Sequence, residues 1–137
     1  MTFDIINPEV LGTPRGWNNG MLAPAGGRVL FVAGQTAGDG SSAEMPDGFV
    51  EQFEAALANI LAVVREAGGT AEDIGRLTIY VADIEAYRSS LKPLGTAYRN
   101  QMGGHYPAMA LVAVKALVDP GAQVEIEATA VLPPADQ

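Results

Sequence analysis

Phe49, Phe53, Leu57, Ile60, Leu61 and Val64 recur at three- and four-residue spacing, and no other pattern constrains the fold so strongly. That spacing places them on one face of a helix and predicts a helix over Phe49 to Ala67. Asp47 is placed to cap it, Glu51 suits its positive start, and Gly68-Gly69 stops it. A helix with one apolar face must bury that face on another layer.

Strand-like runs supply the layer. Arg28 to Ala33 is β-branched and aromatic and is closed by Gly34. Leu77, Ile79 and Val81 alternate with Thr78 and Tyr80. Ala108 to Ala116 and Gln123 to Leu132 flank Asp119-Pro120-Gly121, a turn signal, and are expected to form an antiparallel pair. Thr70-Ala71-Glu72-Asp73 reads as a capping box opening a single turn. Asp83 caps a helical region through Met102, which Pro93 is expected to break in two. The second piece presents Leu94, Tyr98 and Met102 on one side. Asn7 to Gly27 is an irregular lead-in, with short strands near Phe3 to Ile6 and Met21 to Ala23. Gln35 to Gly48 reads as loop, with turn chemistry at Gly38-Asp39-Gly40-Ser41-Ser42.

The order β-α-β-α-β-β implies an α+β domain, a mixed sheet with two helices on one face. The length of 137 residues fits a single domain over 1–137. The sheet's other face still carries apolar side chains, and another subunit is its expected cover. The absence of cysteine excludes disulfides, zinc–cysteine and iron–sulfur sites and a thiol nucleophile. A net charge of −8 argues against nucleic acid, whose phosphates need a basic footprint. No apolar run approaches the roughly 20 residues of a membrane helix. Met1 to Glu9 has no basic segment followed by an apolar one, so a soluble, cytoplasmic protein is expected.

Familiar catalytic signatures are scarce. The glycines between Gly34 and Gly40 lack the lysine of a phosphate loop, and no nucleophile elbow occurs. Ser41 and Ser42 read as turn hydroxyls. His105 is the single histidine, so no metal site is expected; after Gly103-Gly104 it reads as a solvated or locally bonded loop residue. In the last strand Val124, Ile126, Ala128 and Ala130 alternate with Glu125, Glu127 and Thr129, which puts both glutamates on one face. That face is either solvated or turned toward another subunit, where a desolvated glutamate acts as a general base on water. Trp17 follows Pro14-Arg15-Gly16 and is either ordinary packing or a pocket wall.

Pro14-Arg15-Gly16-Trp17, Val29-Leu30-Phe31-Val32-Ala33-Gly34-Gln35, Pro107-Ala108 and Val124-Glu125-Ile126-Glu127-Ala128-Thr129-Ala130-Val131 occur in that order. With the long helix, Asn59 and the Asp83 strand end, they resemble the Rid (YjgF) family of reactive-intermediate deaminases over nearly the whole chain. The resemblance implies a chorismate-mutase-like domain forming a homotrimer, with small-molecule pockets at the subunit interfaces. It also implies hydrolysis of 2-aminoacrylate-type enamines and imines to 2-keto acids and ammonia, with neither metal nor cofactor.

Position by position, Glu125 matches the glutamate that holds and activates water, with Glu127 a structural or rim residue. Trp17 stands where many members have a pocket tyrosine. Ala33 and Gly34 match the strand end that lines the pocket, and Ala110 and Leu111 follow the Pro-Ala segment along its wall. Met109 is the important departure: deaminating members place there an arginine that clamps the substrate carboxylate. Gly95 replaces a family asparagine ahead of Tyr98. Each lost hydrogen bond to a charged group costs about 1.5–3 kcal/mol, so the expected substrate differs from 2-aminoacrylate. The softer pocket of Trp17, Met109 and Leu111 favours an imine or enamine lacking that carboxylate, unless Arg15 or Arg99 from a neighbouring subunit supplies the cation. The rival expectation is a non-catalytic metabolite-binding or regulatory trimer. Some relatives carry an endoribonuclease label, which the acidic charge disfavours.

Overall fold

A computed structural model of the chain describes residues 3–38 and 45–135. The turn expected around Asp39 to Ser42 lies outside the described residues. Two short strands, β1 (Asp4–Ile6) and β2 (Gly20–Leu22), pair antiparallel as a small separate sheet. Then come β3 (Arg28–Gln35), α1 (Phe49–Glu66), β4 (Ile74–Val81), α2 (Ile84–Arg88), α3 (Leu91–Met102), β5 (Ala108–Ala113) and β6 (Val124–Leu132). The main sheet has the order β3-β6-β4-β5, with β4 and β5 parallel and the other pairs antiparallel.

The apolar stripe of α1 is where the core sits. Leu57, Ile60, Leu61 and Val64 are fully buried against Ile74, Leu77 and Val81 of β4 and Val124, Ile126 and Ala130 of β6. Leu94, Tyr98 and Met102 of α3 join the same core. Burying side chains of this size contributes roughly 1.5–3 kcal/mol each. The N-cap of α1 is Gly48 and not Asp47, and it makes no side-chain capping bond. Gln52, which is only 1% exposed, instead ties the start of the helix to the segments beside it. Its Nε2 donates to the carbonyls of Pro46 (2.8 Å) and Gly121 (2.9 Å), and its Oε1 accepts from the Gln123 amide (2.8 Å). The capping box at Thr70 and Asp73 forms as expected, around a short 3-10 turn over Ala71–Asp73.

Two expectations need correcting. The last two strands are not an antiparallel pair: β4 lies between β5 and β6. The Asp119-Pro120-Gly121 turn does form, closed by Ala122 N–H on the Asp119 carbonyl at 3.1 Å. However, it sits within the long 114–123 connection, which carries the chain across β4 and closes no hairpin. The crossover from β4 through α2 and α3 then sets β5 parallel beside β4. The helical break also lies at Ser89-Ser90, ahead of Pro93, which occupies the first turn of α3. There its missing N–H would have found no intrahelical partner in any case.

Candidate ligand-binding site

Cross-strand pairing assigns each side chain to a face. Ile79 of β4 pairs with Leu111 of β5 and with Ile126 of β6, and this row points to the helices. Tyr80 pairs with Val112 and Glu125, and Thr78 with Ala110 and Glu127, and these rows point to the open face. Met109 and Leu111 therefore pack toward the core, whereas Glu125, Glu127 and Ala110 lie on the open side.

On the helix side, at the β5 edge, is a cavity of about 370 Å³. Its walls include Trp17, Tyr87, Leu94, Tyr98, Tyr106 and Met109, with Leu111 and Ile79 from the sheet. The lead-in is tied down to make one of these walls. Asn18 N–H donates to the Pro107 carbonyl (3.2 Å), and Asn18 Nδ2 to the Tyr106 carbonyl (2.6 Å). Trp17 Nε1 donates to Asn19 Oδ1 at 3.1 Å. The indole is thus held beside Met109, with 44% of the residue exposed. The Tyr98 and Tyr106 rings stack at 5.2 Å, and Tyr98 donates its hydroxyl to the His105 carbonyl at 2.6 Å. Burial, with Tyr106 adding to it, pushes the Tyr98 phenol well above its usual range. The His105 ring is neither solvated nor locally bonded as expected: its Nε2 donates to the carbonyl of Ile74, 31 residues earlier at the start of β4, at 2.7 Å. A second, smaller depression, of about 280 Å³ and also lined by Trp17, reaches Ala110, Arg76 and Thr78.

On the open face the two glutamates are unequal. Glu127 accepts the Tyr80 hydroxyl at 2.7 Å. That bond, with desolvation and the charges of Glu127 and Glu125, raises the Tyr80 phenol above its ordinary value. Glu125 is half-buried and accepts no hydrogen bond among the described residues. It lies against the strand end: a Cβ built on Gly34 would stand 2.9 Å from Glu125 Cδ and 3.0 Å from Oε1. Ala33 and Gly34 are exposed beside it.

Within one chain, then, two separate clusters exist. The structure brings Trp17, Met109 and Leu111 together in the cavity, and Glu125, Ala33 and Gly34 together on the opposite side of the sheet. Arg15 and Arg99 line the cavity; Glu127 and His105 are held elsewhere. The reading from sequence missed Tyr87 and Tyr106 as walls, and nothing in their spacing marks them. Among the described residues no three His, Asp or Glu side chains are grouped as metal ligands would be. No helix among them is long and apolar enough to cross a membrane.

A family model described as endoribonuclease L-PSP matches residues 15–132. The chain belongs to that family, the YjgF or Rid family. A 2-iminobutanoate/2-iminopropanoate deaminase of Capra hircus is 32% identical over 108 residues, covering 78% of this chain and 75% of the relative. A RutC family protein of Aquifex aeolicus is 34% identical over 102 residues, covering 74% and 79%. Among solved structures, the Rid family protein YyfB of Yersinia pestis, of unknown function, superposes with a TM-score of 0.82. It is 31% identical, with 96% of this chain and all (100%) of that one covered. Escherichia coli TdcF with bound serine gives 0.67 at 25% identity, covering 84% and 93%. The Rid fold extends over the cavity and over the Glu125 strand alike.

Proposed function

We propose that this Rid family member is a cofactor-free hydrolase of small imines or enamines, acting as a homotrimer of chorismate-mutase-like arrangement. In this assembly the Glu125 half-site of one subunit faces the Trp17–Met109–Leu111 cavity of the next. The observation that carries the reading is the inequality of the two glutamates. Tyr80 engages Glu127, while Glu125 accepts no hydrogen bond among the described residues and rests on the side-chain-free backbone of Gly34. A carboxylate left in that state can accept a proton from water.

The chemistry needs nothing more than a base and a water molecule. The imine nitrogen takes a proton from solvent, and Glu125 takes one proton from water as the water oxygen bonds to the imine carbon, giving a carbinolamine. Glu125 returns its proton to that nitrogen as the C–N bond breaks, and the hydroxyl proton passes to solvent, leaving the carbonyl compound and ammonia. An enamine first takes a proton on carbon to become the imine. Deaminase names among the relatives support this reaction class. Met109 cannot form the paired, charge-assisted contacts of a guanidinium with a carboxylate, so 2-aminoacrylate is a poor substrate and a substrate with an apolar group beside Met109 is preferred.

The test is ammonia release from imines produced in place by an amino-acid oxidase, compared with Glu125→Gln and Glu127→Gln. The wild-type protein should accelerate release over the spontaneous rate. Glu125→Gln should lose about a hundredfold or more, within the range of general-base contributions, and Glu127→Gln much less. No acceleration by the wild-type protein on any imine would leave a non-catalytic metabolite-binding trimer.

A further inference from the structure

The cavity contains two guanidinium groups that the hydrolytic step does not use. Arg15 and Arg99 both line it, and no carboxylate does. This is notable in a chain with sixteen acidic residues and a net charge of −8. The only ion pair among the described residues joins Arg88 to Glu85, away from this wall. Among those residues neither Arg15 nor Arg99 places its guanidinium in a side-chain hydrogen bond. Two cations without partners on an aromatic-walled cavity form a site for an anion.

Gly95 accounts for the position of one of them. Arg99 lies four residues after Gly95 on α3, so the two share a helix face. A Cβ built on Gly95 would stand 3.1 Å from Arg99 Nη1 and 3.9 Å from its Cζ. The guanidinium is therefore folded back over bare backbone, in the direction helical side chains lean. A glycine inside a helix is unfavourable for the helix. Here it makes room for Arg99 to lie along the cavity wall. At the opposite wall Met109 brings no charge. The two features belong together, since the sheet side of the cavity carries no cation, while α3 supplies Arg99 and the lead-in supplies Arg15.

We propose that this cavity takes small organic acids with a flat apolar or aromatic body, the carboxylate held by Arg99 with Arg15 joining it, and the body seated among Trp17, Tyr98, Tyr106 and Met109. The inference rests on reading the cavity as the substrate pocket, and it specifies the substrate class. The acid group is retained but is gripped from α3 over Gly95. The body must then span from the helix wall to Met109, which 2-aminoacrylate is too small to do. Imines of aromatic or large apolar 2-oxo acids meet that description.

Binding separates this inference from catalysis. The probes are phenylpyruvate, a product of such a hydrolysis, and phenylacetone, which has the same aromatic body without the carboxylate, each titrated by calorimetry. Wild-type protein should bind phenylpyruvate about ten- to a hundredfold tighter than phenylacetone. Arg99→Gln should remove most of that preference while leaving phenylacetone binding unchanged. Gly95→Asn, which displaces the guanidinium, should reduce it, and Arg88→Gln on the surface should not. Glu125→Gln should keep the preference, so a failed hydrolase reading would leave this result intact. Equal affinities for the two probes, no binding of either, or a preference that survives Arg99→Gln would overturn the proposal.

Discussion

Tyr80 separates two glutamates that alternation alone cannot tell apart. Period-2 spacing assigns Glu125 and Glu127 to one face, and the sequence carries that much. Which carboxylate a neighbouring hydroxyl reaches depends on strand register, which enters only when β4 and β6 pair. Gly34 is the second determinant of Glu125. Gly34→Ala should press a methyl group onto the carboxylate and lower turnover at least tenfold. Because it meets only the mobile end of a side chain, it should change the unfolding free energy by less than about 1 kcal/mol; chemical denaturation and steady-state rates together check this. Met109→Arg should raise 2-aminoacrylate hydrolysis about tenfold or more by restoring charge-assisted contacts, measured with a coupled dehydratase that generates the enamine. Tyr98 yields a pH prediction. Its phenol is raised above the ordinary 10.0, so the folded state holds the proton more tightly than the unfolded chain. The resulting stabilisation is complete below pH 10 and is lost as pH climbs toward the folded value. Tyr98→Phe should cost about 1 kcal/mol at neutral pH, for the bond to the His105 carbonyl. It should also flatten the decline in stability above pH 10; denaturant melts across that range decide it.

Among the elements, α1 and β6 could be read directly, because their apolar periods of 3.6 and 2 are both strong and unbroken. The pairing of β5 could not. Asp119-Pro120-Gly121 is a real turn, but a turn signal says only that the chain reverses, and the partner is settled by which strand the helical crossover leaves adjacent. The cap of α1 was misread for a related reason. Asp47 has the favoured residue type, yet the cap is Gly48, and the helix start is anchored from within the helix by Gln52, four residues past the cap, which binds the Pro46 carbonyl and grips the 114–123 connection. Gln52→Leu keeps the bulk and removes those bonds, leaving the Pro46 and Gly121 carbonyls and the Gln123 amide without their buried partner. It should destabilise the fold by roughly 2 kcal/mol or more, and the thermal midpoint compared with that of the exposed Glu54→Gln is the check.

At the scale of the whole molecule the open side of the sheet dominates. Phe31 is 80% exposed and Val29 57%, both on the side that Glu125 shares. Apolar exposure of this kind marks a surface for association. It also explains why the candidate site was only half legible. The residue types of Glu125, Gly34, Trp17 and Met109 could be singled out along the chain, but one chain holds them on two sides of the sheet, and in the proposed trimer it is a neighbouring copy that brings them together. The proposed trimer predicts that the wild-type protein sediments as a trimer and Phe31→Glu as a monomer, and that Phe31→Glu abolishes turnover although it touches no reacting group. The measurement that tests the central claim most directly is the decay of the phenylalanine-derived imine, followed with wild-type protein and with Glu125→Gln. The account predicts acceleration by the wild-type protein, near-complete loss of it in Glu125→Gln, and faster turnover of this imine than of 2-aminoacrylate. Decay at the spontaneous rate with wild-type protein, or equal acceleration by Glu125→Gln, would contradict it.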